Sequence, residues 1–186
     1  MENKVFSAKN KEKLDSPKRR EMLPPTATLL RFGLVEGDIL ADVGCGTGYF
    51  SFPAYEITKS NVYAIDLSQE MLDYLNSKKT NELIDTVLSV GDDFKIKDGA
   101  ASFVLMSTVL HEIDQTESFI DEVARITANG GTLGIIEWKY ADSEMGPKLS
   151  HRLSTKQIET ICKKRFTITE TFEINDQFIG IILKKK

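Results

Sequence analysis

Residues 42–48 read Asp-Val-Gly-Cys-Gly-Thr-Gly, and the three glycines are the first feature of the chain with chemical content. Glycine permits positive φ and lets a ligand approach the backbone closely. Between a strand and a helix, such a loop offers unpaired N–H donors and the partial positive charge of a helix start. Asp66 stands 22 residues after Gly44, at the end of the next apolar stretch. An acid at that distance can hold the two hydroxyls of a ribose. A nicotinamide-binding loop would need its third glycine where Tyr49 stands. Here glycine recurs at every second position (Gly44, Gly46, Gly48), with an acid, Asp42, two residues ahead. The spacing points to a nucleoside-bearing ligand and away from a nicotinamide dinucleotide.

Other residue types with chemical reach are few. The chain has two histidines and two cysteines. His111 follows an apolar stretch, titrates in the useful range and is the candidate catalytic base; packing against the following helix is its alternative role. Glu112 beside it reads as solvent-facing or capping. His151 opens a helix-entry segment, and Trp138 ends a strand, where it either walls an acceptor site or covers the core. Cys45 reads as a small buried residue and Cys162 as core. Two cysteines are too few for a disulfide scaffold or a cysteine-rich metal centre, and no metal site is expected.

These residues need elements to position them. Pro24 and Pro25 open a short helix over about 25–32, with Gly33 just past its end. DILADVG, between Gly37 and Gly44, reads as a buried strand. GTGYFSFPAYEIT follows as a helix, NVYAIDL as a second strand, and SQEMLDYLNSKK as a helix capped by Ser68. IDTVLSVG is a third strand and DDFKIKDGA a loop with three aspartates. ASFVLMSTVL is a fourth strand running into a loop at HEIDQ. ESFIDEVARIT is an amphipathic helix with Phe119, Ile120, Val123 and Ile126 on one face, ended by Asn129-Gly130-Gly131. TLGIIEW is a fifth strand, STKQIETICKKRF a helix capped by Ser154 or Thr155, and FTITETFEI with FIGIILKKK a closing hairpin. Alternating strands and helices predict an α/β fold. The sheet is doubly wound, seven-stranded and mostly parallel, Rossmann-like, with helices on both faces and a C-terminal antiparallel hairpin. Ligands of such sheets bind outside the carboxyl ends of the strands. The site therefore belongs to the loops after Val43, Asp66, Val90, Thr108 and Trp138.

At 186 residues the chain is one catalytic domain. Its hydrophobic share of 41% and charged share of 28% are those of a globular protein. The net charge of −4 argues against nucleic acid as a partner. The charge is uneven: residues 1–22 carry a net of +3 and the rest −7. That divides the chain into a basic leader or lid, 1–22, and a body, 23–186; a solvated leader is the plainer alternative. No apolar run approaches a membrane span, and MENKVFSAKNKEK lacks the hydrophobic region of a secretory signal, so the expected location is the cytoplasm.

With its acid, alternating glycines and Asp66, the sequence resembles the class I S-adenosylmethionine-dependent methyltransferases, in particular the small-molecule group called type 11. The resemblance covers about residues 23–184. It implies that Asp42 and the Gly44–Gly48 backbone face the methionine part of S-adenosylmethionine, that Asp66 holds the ribose hydroxyls, and that Leu67 lies against the adenine; ordinary core packing is the alternative for Leu67. Gly91-Asp92-Asp93 resembles the family's aspartate at the adenine amino group, Asp92 being the better match and a plain loop role the alternative for each. VLMSTVLHEI and ITANGGTLGIIEW resemble the family's fourth strand with its substrate loop, and its helix end with the fifth strand. One departure is DFKIKDG, which lacks the proline of many relatives. The fourth strand is not followed by the Asp/Asn-Pro-Pro-aromatic motif of amino-methylating enzymes or the Pro-Cys of cytosine-carbon methylases. By elimination and resemblance the acceptor is a small molecule, and the donor leaves as S-adenosylhomocysteine. A cofactor-binding protein without methyl transfer and a nicotinamide oxidoreductase are the alternatives. Oxidoreductase chemistry is disfavoured by Tyr49 and by the missing Tyr/Lys pair of the short-chain type, and an RNA binder using the basic leader is weaker still.

Overall fold

The computed structural model describes residues 15–186. Residues 1–14, most of the basic leader, lie outside the described residues. The chain divides into two compact units, Met1–Ile96 and Lys97–Lys186.

In the first unit, α1 (Pro17–Met22) and α2 (Pro25–Arg31) each open on a proline, which loses nothing at a position whose N–H has no helical partner. Ser16 caps α1 by accepting from Arg19 N–H. Gly33 ends α2 at φ +87°, a conformation that favours glycine. Then β1 (Leu40–Val43), α3 (Ser51–Thr58), β2 (Val62–Asp66), α4 (Gln69–Lys78) and β3 (Ile84–Leu88) alternate. Pro53, in the first turn of α3, breaks no helical bond. Ser68 caps α4 by accepting from Met71 N–H. The three strands pair in parallel, Leu40 opposite Val62 and Val62 opposite Ile84. All four residues of β1 are buried, as a central parallel strand requires.

The second unit holds β4 (Ala101–Ser107), a 3₁₀ turn (Leu110–Glu112), α5 (Thr116–Ile126), β5 (Thr127–Trp138), a second 3₁₀ turn (Leu149–His151), α6 (Thr155–Cys162), β6 (Phe166–Glu173) and β7 (Phe178–Lys185). Phe119, Ile120, Val123 and Ile126 form the buried face of α5, as their spacing predicts. Ser154 caps α6 through a reciprocal capping box with Gln157. The β4–β5 pair is parallel; β7 runs antiparallel between β5 and β6. The full sheet has seven strands in the order β3-β2-β1-β4-β5-β7-β6. The expected architecture is therefore the one found.

Several elements are shorter than expected, α3 beginning only at Ser51, β3 ending at Leu88, β4 at Ser107 and α6 at Cys162, and one boundary differs in kind. Asn129-Gly130-Gly131 does not end the helix; α5 stops at Ile126 and β5 begins at Thr127. Thr127 pairs with Ala101, but Phe103 pairs with Thr132, so residues 128–131 are an excursion within the strand. Gly130 turns it at φ +69°. Thr127 Oγ1 donates to Val123 O at 2.6 Å, closing the helix before the strand starts.

Candidate functional site

The glycine loop runs from the end of β1 into α3. Gly44, Gly46 and Gly48 have φ of +74°, +53° and +85°, so each uses the conformational freedom that its type supplies. At Gly48 a β-carbon would lie 2.8 Å from Phe52 and 3.0 Å from Leu75, so the loop also seats closely on its neighbours. Gly44 and Cys45 N–H both donate to Ile65 O on β2, at 2.8 and 3.0 Å.

Asp66 ends β2 and is half-buried. Its Oδ2 accepts from Gly46 N–H at 2.8 Å and its Oδ1 from Ser68 N–H at 2.9 Å. Burial raises its pKa, opposed by the backbone donors of Ser68, Gly46 and Leu67. Each carboxylate oxygen keeps a second lone pair, so a pair of hydroxyls can still be accepted. Asp42 is 2% exposed and accepts from the Ser51 hydroxyl of α3 at 2.6 Å. Burial pushes its carboxyl up to about 7, the Ser51 bond opposing and the Asp66 charge adding to the rise. Thr47, 4% exposed, has a hydroxyl with no hydrogen-bond partner among the described residues.

Leu67 is 50% exposed, so it is no core residue. Asp92 is half-buried, whereas Asp93 is exposed and turned into its own loop. Asp93 accepts from Lys95 N–H at 3.0 Å and pairs with the Lys95 ammonium. Cys45 is buried, and burial holds its thiol well above the ordinary range, an inert position.

In the second unit the end of β4 is strained. Thr108 takes φ +57°, unusual for a β-branched residue, and its N–H donates to Ile136 O at 2.8 Å. The neighbouring Ser107 hydroxyl is buried without a partner among the described residues. Three residues on, His111 Nδ1 lies 2.8 Å from Glu137 Oε2, and His111 N–H donates to Glu137 Oε1 at 3.2 Å. Glu137, at 1% exposure, is among the most buried charged groups of the chain. A carboxylate there makes Nδ1 the protonated nitrogen and leaves Nε2 as the acceptor of the neutral ring. Burial works to lower the His111 pKa, but the Glu137 bond and charge outweigh it and raise it above the ordinary value.

His151 is exposed, and its neighbour Arg152 is the buried one, at 4% exposure. The Arg152 guanidinium lies 5.5 Å over the Trp138 ring. Nε donates to Pro147 O, Nη1 to Lys139 O and Ala141 O, and Nη2 to Ser143 Oγ and Met145 O. A guanidinium has five N–H donors, and all are spent on one loop.

Reading the sequence missed Ser51, Glu137 and Arg152. The signal for Glu137 was available: an acid inside the apolar run TLGIIEW must find a partner. Nothing comparable marks Ser51 or Arg152.

A family model describing a methyltransferase domain matches residues 41–135. The chain is 28% identical over 140 residues to a ribosomal protein L11 methyltransferase of Thermotoga neapolitana, covering 71% of this chain and 52% of that protein. It is 28% identical over 142 residues to a malonyl-[acyl-carrier protein] O-methyltransferase of Hamiltonella defensa, covering 68% of this chain and 53% of that one. The chain thus spans about half the length of these curated relatives. A solved S-adenosylmethionine-dependent methyltransferase from Aquifex aeolicus superposes with a TM-score of 0.91 at 26% identity, over 98% of this chain and 100% of that one. The match runs from β1 to the middle of β5 and takes in the glycine loop, Asp66 and the strained end of β4, and on it the chain belongs to the S-adenosylmethionine-dependent methyltransferases of type 11.

Proposed function

We propose that this chain transfers a methyl group from S-adenosylmethionine to a small protic acceptor, with His111 taking the acceptor's proton. The observation that carries the reading is the His111–Glu137 pair: a buried carboxylate 2.8 Å from Nδ1 leaves Nε2 as the proton acceptor.

The cradle in the first unit fits the cofactor. The Thr47 hydroxyl is buried and unpartnered among the described residues, the Asp66 oxygens keep a lone pair each, and half-exposed Leu67 offers an apolar face beside them. In this reading Asp42 and the Gly44–Gly48 backbone hold the methionine part, Asp66 the ribose, Leu67 and Asp92 the adenine, and Asp93 shapes the turn beside Asp92. When bound, S-adenosylmethionine supplies an electrophilic methyl carbon on a sulfonium, which leaves as a neutral thioether. The protein has then to align the acceptor and exclude water, and orientation alone can be worth roughly 7–11 kcal/mol. Proton removal by a positioned base adds roughly 10²–10⁴-fold.

The relatives are named for unlike acceptors, ribosomal protein L11 and malonyl-[acyl-carrier protein]. What they have in common with this chain is the donor half of the reaction. Residues 1–22 act in this reading as leader or lid to the methyltransferase domain, 23–186. Among the described residues no helix is long and apolar enough to cross a membrane. A cytoplasmic location completes the reading, in keeping with two unpaired thiols, Cys45 and Cys162.

The test uses methyl-labelled S-adenosylmethionine with the full chain. One arm offers a panel of small phenols, thiols, amines and carboxylic acids; the other offers purified ribosomal protein L11 and acyl-carrier protein. Label in small products, lost in His111→Asn, is the expected result. Label only in protein overturns the small-molecule acceptor, and transfer undiminished in His111→Asn overturns the base.

A further inference from the structure

The His111 ring lies between two carboxylates that differ in exposure. Glu137 Oε2 is 2.8 Å from Nδ1, and Glu112 Oε1 is 3.9 Å from Nε2. The side chains are 1% exposed at Glu137, 8% at His111 and 38% at Glu112, so the line runs from the core to the surface and a ligand meets Glu112 first. Glu137 Oε2 also accepts from Trp138 N–H at 3.3 Å, which fixes the inner end. Two cations flank Trp138, and both are committed elsewhere. Lys139 Nζ pairs with Glu173 at 2.9 Å. The Arg152 guanidinium gives its donors to the loop before it. Burial lowers the His111 pKa and the Arg152 charge adds to that, yet the Glu137 bond and charge, with the Glu112 charge, raise it overall. The ring is therefore set in negative surroundings.

That sign sorts the protic acceptors. A carboxylic acid is already ionised at neutral pH, needs no base, and would set its anion against Glu112. A phenol or a thiol turns anionic on giving its proton to Nε2, again beside Glu112. An ammonium arrives positive and becomes neutral as it gives its proton up. Two acceptors 3.9 Å apart can both be about 2.9 Å from one nitrogen, so a nitrogen with two N–H bonds reaches Nε2 and Glu112 Oε1 together.

We propose that the acceptor is a small alkyl amine, received as its ammonium by Glu112 and deprotonated by His111 Nε2. The inference rests on the reading of His111 as the base of a methyl transfer, and it narrows the acceptor atom to nitrogen. The proton passes from the ammonium to Nε2. The freed nitrogen lone pair bonds to the cofactor's methyl carbon, the carbon–sulfur bond breaks, and its electron pair stays on sulfur as the neutral thioether. The product leaves as a methylammonium, and the imidazolium returns its proton to water. Glu137 favours the first step, because its bond to Nδ1 is stronger once the ring is charged. Glu112 binds the acceptor and takes no proton.

The test offers the full chain methyl-labelled S-adenosylmethionine with acceptors built on shared carbon skeletons: the amine, alcohol, thiol and carboxylate of a benzyl and of a butyl group. Label in the amines is expected. A lost charge-assisted bond predicts that Glu112→Gln raises the amine KM about 10- to 100-fold, and Glu112→Asp recovers part of the loss. Label confined to alcohols, thiols or carboxylates overturns the proposal, as does an amine KM unchanged in Glu112→Gln. Where neither skeleton takes label, NMR of the His111 ring decides, on the chain saturated with S-adenosylhomocysteine. Under the proposal benzylammonium shifts the ring signals in the wild type and not in Glu112→Gln; no shift, or an equal shift from phenylacetate, overturns it. A chain that binds no S-adenosylhomocysteine, or label found only in protein, brings down the small-molecule methyl transfer as well. Label in thiols that His111→Asn abolishes leaves that reading standing and removes the amine alone.

Discussion

Gly46 donates its backbone N–H to Asp66 Oδ2 at 2.8 Å, so the carboxylate assigned to the ribose also braces the loop that receives the rest of the cofactor. Its other oxygen holds Ser68 N–H at the start of α4. Asp66 is a joint between two loops as well as a ligand.

Asp66→Ala should therefore cost twice. Loss of the ribose partner lowers S-adenosylhomocysteine affinity roughly 10–100-fold. Loss of the brace leaves two backbone donors without their acceptor and lowers the melting temperature of the ligand-free protein by several degrees. Calorimetry and a thermal melt read the two effects separately. Unchanged affinity would show that another group holds the ribose.

Gly46→Val tests the loop itself. At φ +53° a β-branched side chain is strained, and it would stand where the ligand's backbone contacts must form. Cofactor binding should vanish from calorimetry while the ligand-free melting temperature falls only modestly. Retained binding would reduce the loop to a turn.

Asp42 gives a pH dependence with a definite direction. Its carboxyl is pushed up to about 7 by burial, far above the ordinary value. The folded protein then holds this proton more tightly than the unfolded chain. The resulting stability is full below about pH 4 and is lost as pH rises through about 7, roughly 4 kcal/mol in all. Asp42→Asn should flatten that part of the stability curve in the ligand-free protein. Cofactor affinity runs the other way in the wild type, tightening as pH rises through about 7, because the ligand's ammonium favours the ionised carboxylate. Denaturant melts and titration calorimetry between pH 5 and 8 check both. An affinity insensitive to pH would remove Asp42 from the ammonium site.

His111 supplies the activity profile. With its pKa raised by Glu137, the neutral ring gains population only above the ordinary histidine value, and the rate should climb through that higher pKa. The stability contributed by the pair is full below the unfolded value and lost as pH rises through the folded one. Glu137→Gln removes the charge and should move the midpoint of the rate profile to lower pH while reducing its plateau. The two histidines of the chain make the ring directly observable by NMR. A His111 ring protonated on Nε2 when neutral would overturn the assigned tautomer.

The strand–helix alternation was legible because apolar runs bounded by glycine and capped helices are local signals, as at DILADVG and Ser68. The glycine loop was legible for the same reason. The excursion at residues 128–131 was not, because Asn-Gly-Gly reads as a helix stop unless the pairing of Thr127 with Ala101 is known. Glu137 and Arg152 escaped because their partners lie far along the chain: His111 is 26 residues from Glu137, and Arg152 reaches back 13 to Lys139. A sequence shows that a buried charge needs a partner, and only the fold shows which.

Arg152 has a consequence for how this enzyme can change. The loop from Lys139 to His151 is wound on a buried cation mainly through its own carbonyl oxygens, from Lys139, Ala141, Met145 and Pro147. Main-chain oxygens are common to every amino acid. The exposed side chains of Tyr140, Asp142, Glu144 and Lys148 take no part in that winding, so the loop's outer face can be rewritten while its path is kept. In evolutionary terms the guanidinium is a spool: it separates the loop's shape from its surface chemistry and leaves the second open to selection.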